Sequence, residues 1–142
     1  LENFLARTRA ALDAQPFTRL LGASLASMDG KSIELSLPLR DDLKQQHGFA
    51  HGGVLSYLAD NALTIAGAMG LGKGVLTSEF KINFLRPATG SSLLARASVV
   101  HAGKRQAVCR CDVFARDGDA EKLVATAQGT IVAVDDLPDA KA

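Results

Sequence analysis

The sequence predicts an α+β fold in which an antiparallel sheet wraps one long helix. Three observations predict it. Only one apolar run has the length and period of a long helix. The other apolar runs are short and bounded by turn residues. Strands and helices do not alternate as a parallel sheet requires. At 142 residues the chain has the size of a single domain with one core.

Each element has its own signal. Phe4, Leu5, Thr8, Ala11 and Leu12 recur at helical spacing up to Pro16, predicting a short amphipathic lead-in helix that packs on the domain and does no chemistry. Runs at 23–28 and 32–39 flank Asp29-Gly30, a tight-turn pair, and so read as a β-hairpin. In the second run Ile33, Leu35, Leu37 and Leu39 alternate with polar residues, and Pro38 marks a strand end or an edge. A polar loop from Arg40 to Ala50 leads into the long helix, which Gly70, Gly72 and Gly74 terminate. Runs at 75–85, 92–101, 106–115 and 123–134 then predict four strands, read as one antiparallel meander. The tail from Asp135 to Ala142 is polar, contains Pro138 and should fray.

Composition narrows the function. Apolar residues are 47% and charged residues 22%, which fits a compact globular chain and not a disordered one. The net charge is +1 with no basic block, so nucleic acid is not an expected partner. Asp60 and Asn61 interrupt the longest apolar stretch at its middle, which argues for a buried helix over a membrane span. No leader pattern opens the chain, so a cytoplasmic location is expected. Cys109 and Cys111, two apart on a strand, share a face and read as reduced core thiols. Gly67, Gly72 and Lys73 approach a phosphate-loop spacing, but Gly74 replaces the hydroxyl residue that would hold magnesium, and the elements run helix to strand. His47 and His51 lack a third ligand, so no metal is expected.

The long helix carries two stripes. Leu58, Ala62, Ile65 and Met69 are ordinary core, whereas Ser56, Asp60 and Thr64 are small and polar. A carboxylate among apolar neighbours needs a hydrogen-bonded, wet or interfacial setting, so Asp60 requires an explanation. Just upstream, His51-Gly52-Gly53 opens the helix with paired glycines, placing free N–H groups at the positive end of its dipole. Amide donors and a carboxylate on one helix suit acyl transfer.

Gln45, then His51-Gly52-Gly53, then Asp60 after six residues resembles the signature of hotdog-fold thioesterases of the PaaI-like (phenylacetate-pathway) and 4-hydroxybenzoyl-CoA type. Phe84-Leu85-Arg86-Pro87-Ala88, Gly103-Lys104 and the segment from Val124 to Thr130 are similar to later strands of that family. The resemblance implies a hotdog fold and hydrolysis of an acyl-CoA, with coenzyme A as part of the substrate and no cofactor. It implies that the Gly52 amide polarises the thioester carbonyl and that Asp60 attacks it or activates water, with Gln45 and Thr64 at helper positions. His51 and Gly53 would shape the substrate loop, Phe49 and Tyr57 would line the acyl pocket, and Arg86, Lys104 and Arg105 would meet the phosphates. It also implies a homodimer or homotetramer with sites built from two subunits. The chain mixes subtypes, because the Asp type carries an upstream Asn and the type with this Gln carries Glu. A hotdog hydratase or dehydratase would need a histidine and an acid placed to move protons on the acyl chain, and a non-catalytic acyl-CoA binder would use the same pocket.

Overall fold

The computed structural model describes residues 1–139. The elements are α1 (Glu2–Ala14), α2 (Pro16–Leu21), β1 (Ser24–Met28), β2 (Ser32–Pro38), a 3-10 turn (Asp41–Leu43), α3 (Gly52–Leu71), β3 (Val75–Phe84), β4 (Ser92–Ala102), β5 (Gln106–Asp117) and β6 (Ala120–Ala133). Six strands form one antiparallel sheet around α3, as the alternation and turn signals predicted.

The strand order is β1-β2-β4-β5-β6-β3. This corrects the meander reading: only β4, β5 and β6 form one, while β3 leaves α3 and pairs with β6 at the far edge. The physical reason is the helix itself. Residues 52–71 cross the sheet, so the strand that follows starts on the opposite side and β2 is left to pair with β4.

The core is the apolar side of α3 against the concave face. Leu58, Ala59, Ala62, Leu63 and Ala66 are fully buried, facing Ile33, Leu35, Leu37, Leu93, Val113, Val124 and Ile131. Gly67 permits the closest approach, because a Cβ there would stand 2.5 Å from Ile131. α3 is long and apolar enough by length and composition to cross a membrane, and here its apolar side is core. Met69, placed in the core stripe by its spacing, is only half-buried.

Local chemistry sets the boundaries. Asp29 Oδ1 accepts from the Lys31 and Ser32 N–H groups at 2.8 Å, closing the β1–β2 turn with Gly30 at φ +87°. Gly72, at φ +64°, caps α3 through its N–H to Ala68 O. Pro38 is the last residue of β2. Past Pro16 the lead-in continues as a second helix, because Pro at the first helical position has no N–H to lose. Cys109 and Cys111 are both buried and unpaired. Residues 135–139 form no helix or strand and are exposed; 140–142 of the tail lie outside the described residues.

Candidate active site

The N-terminus of α3 is held from three sides. His51 N donates to Leu43 O at 2.9 Å, and Ala50 N donates to Ala88 O at 3.0 Å, tying the loop to its neighbours. His51 is the N-cap: its Nδ1 accepts from Gly53 N at 2.8 Å, so the ring proton sits on Nε2. Val54 N turns back to His51 O. Among the described residues no acceptor meets the Gly52 N–H, which stands alone at the positive end of a 20-residue helix.

That amide opens on a cleft of about 420 Å³ whose lining includes Gln45, Phe49, Leu55, Phe84 and Arg86. Gln45 is fixed by its backbone, with its N–H on Phe49 O and its carbonyl accepting from Gly48 N, while its side-chain oxygen accepts from His47 N. Its side-chain NH₂ remains available to a ligand. Four residues singled out in the sequence, Gln45, Phe49, Gly52 and Arg86, thus meet here.

Asp60 lies elsewhere. With Tyr57, Thr64, Gln15, Phe17 and Asn61 it lines a separate hollow of about 220 Å³. Eight residues of helix separate Gly52 from Asp60, roughly 12 Å along the axis. The two groups line different hollows of the single chain. Lys104 and Arg105, exposed in the β4–β5 turn, are at the C-terminal end of α3, away from Arg86.

The Asp60 carboxylate is held by a residue that the sequence did not single out. Thr77 Oγ1 donates to Asp60 Oδ1 at 2.6 Å. Thr64 Oγ1 has one proton and two acceptors at 2.8 Å, Asp60 O and the Thr77 hydroxyl, so it reaches the carboxylate only through Thr77. A bulge between Thr77 and Glu79 makes this possible: Thr77 faces α3, while Glu79 turns outward to Thr130. The helix α2 closes the other side. Thr18, 2% exposed, bonds Tyr57 Oη and Gln15 Oε1 at 2.6 Å, Asn61 Nδ2 joins both, and Phe17 packs edge-on against Tyr57. No sequence signal distinguished Thr18 from an ordinary polar helix residue, and Asn61 stood out only as a break, with Asp60, in the apolar stretch.

Comparison with known proteins gives the family. The Thioesterase superfamily model matches residues 47–122. The acyl-coenzyme A thioesterase PaaI of Escherichia coli is 31% identical over 112 residues, covering 78% of this chain and 77% of that protein. Its solved structure superposes with a TM-score of 0.83 at 27% identity, covering 94% of each chain. A thioesterase family protein from Silicibacter pomeroyi superposes with a TM-score of 0.85 at 35% identity, covering 91% of this chain and 96% of that one. This chain belongs to the thioesterase superfamily and is a thioester hydrolase of the hotdog fold.

Proposed function

We propose that the protein hydrolyses acyl-CoA thioesters at a site shared by two copies of the chain, with the Gly52 amide of one copy and Asp60 of the other. The observation that carries this reading is that the two groups line different hollows of one chain, yet both border the same open edge. Thr77, bonded to Asp60, and Phe84, beside Gly52, both belong to β3, the edge strand. Pairing β3 antiparallel with a second β3 about residues 80–81 brings position 77 of one copy beside position 84 of the other. Leu76 and Phe84 on β3, and Leu85 just after it, are about half exposed in one chain, apolar surface that such pairing would cover.

In this site the thioester oxygen points at the Gly52 N–H, where negative charge develops, and Gln45 supplies a second donor. Asp60 takes a proton from water as the water attacks the carbonyl carbon, and collapse breaks the C–S bond as Asp60 returns that proton to the sulfur, releasing coenzyme A as its thiol. The same pairing carries Arg86 of one copy toward the sheet end that holds Lys104 and Arg105 of the other, giving three cations for the phosphates of coenzyme A.

Thiol release from a panel of acyl-CoA thioesters tests the chemistry, and subunit mixing tests the shared site. Gly52→Pro replaces the N–H with a ring, whose Cβ has room 3.6 Å from Phe84, at a helix position where proline is tolerated and after a His51 already extended at ψ 137°. Asp60→Asn and Gly52→Pro should each lose about a hundredfold in turnover or more. Mixed dimers of the two variants should regain activity, since one of their two sites has both groups intact. Inactive mixed dimers would place the site within one chain.

A further inference from the structure

The hollow at Asp60 does not end there. Gln15, Asn61 and Thr64 are also walls of a longer cleft of about 310 Å³ between α1, α3 and the start of β3. Its apolar floor is Phe4, Leu12, Ile65, Ala68 and Val75. From Asp60 to Ala68 the cleft follows α3 for roughly 12 Å.

Two features of this cleft bear on what it can hold. Thr8 is 8% exposed and lines the cleft, and its hydroxyl, which bonds no other described residue, is open to solvent there. The only charged residues lining it are Arg7 and Lys73, both cations, and neither forms an ion pair among the described residues. An apolar channel with an acid at one end and two cations toward the other is polarised along its length. A low-dielectric wall focuses that field.

We propose that this cleft is the acyl subsite and that it selects an aliphatic acyl group ending in a carboxylate, the half-thioester of a dicarboxylic acid. This rests on the thioesterase reading of Asp60. The chain methylenes lie on the apolar floor, and the terminal carboxylate meets Arg7 and Lys73 with the Thr8 hydroxyl near it. A short diacid is disfavoured, because its free carboxylate would stand beside Asp60.

Binding to the Asp60→Asn variant tests the subsite apart from catalysis. Suberoyl-CoA and sebacoyl-CoA should bind about tenfold more tightly than octanoyl-CoA and decanoyl-CoA, the scale of a charge-assisted contact. Adding Arg7→Ala and Lys73→Ala should bring each ratio close to one, and both substituted residues are exposed, so the fold should persist. Equal affinities within each pair, or a preference that survives loss of both cations, overturns the proposal. Wild-type thiol release on the same thioesters reports separately on the thioesterase reading.

Discussion

Thr77 Oγ1 lies 2.6 Å from Asp60 Oδ1, and this contact joins the edge strand to the central helix at the one carboxylate on the helix. The hydroxyl also touches Thr64, so a chain of two threonines fixes the acid against β3. Thr77 is a positioning residue: it acts on the reaction through Asp60. Thr77→Val keeps the shape and removes the donor, and should lower kcat by about tenfold or more with a small change in KM, the cost of a lost hydrogen bond to a charged group. Thr77→Ser should restore most of the rate. Unchanged kcat in Thr77→Val would remove this contact from the mechanism.

Gly67 is set by packing. A methyl group there would meet Ile131 Cβ and Cγ2 at 2.5 Å, so Gly67→Ala should destabilise by about 1–3 kcal/mol despite better helix propensity. Thermal unfolding of Gly67→Ala with and without Ile131→Ala would show the strain, because removing Ile131 Cγ1 and Cγ2 takes away two of the three close contacts, and the two substitutions should cost less together than their sum.

Burial pushes the Cys109 thiol up to about 11 and that of Cys111 to about 12. Neither should react with a disulfide reagent at neutral pH while the chain is folded, and both should react in denaturant. Rapid labelling of native protein would contradict their placement in the core.

Glu34 sits in an ion-pair cluster with Arg96, at 2.8 Å, while Ser27 donates to its other oxygen at 2.7 Å. Burial raises its carboxyl pKa, and the hydrogen bonds from Ser27 and Arg96 and the charges of Arg96 and Arg116 outweigh that, leaving it below the ordinary value of 4.5. A folded pKa below the unfolded one means stability that is present above the unfolded pKa and lost as pH falls through the folded one. Between neutral pH and acid, Glu34→Gln should therefore lose less stability than wild type. The difference should be small, because the Arg96 side chain is 41% exposed.

Much of this molecule was determined locally. Alternation in residues 32–39 fixes one buried face of β2, Asp29-Gly30 fixes a turn, and His51-Gly52-Gly53 fixes a capped helix start with a free amide. These depend on neighbours within a few residues, so they are legible in a string of letters. The sheet order was not. Whether β3 pairs with β4 or with β6 depends on which side α3 delivers the chain, and short strands of similar pattern carry no label for that.

The candidate site divides in the same way. Asp60 and Gly52 are visible because a carboxylate in an apolar helix and paired glycines at its start are locally anomalous. Thr77 was invisible, since threonine in a strand is ordinary and only the bulge that follows it turns its hydroxyl toward Asp60. The separation of Asp60 from the cleft at Gly52, and the second cleft beneath α1, exist only once helix, edge strand and lead-in are packed together. Sequence determines the conformations and chemistry that near neighbours enforce; tertiary structure decides what residues far apart in the chain share, because burial and edge pairing are properties of the assembled sheet.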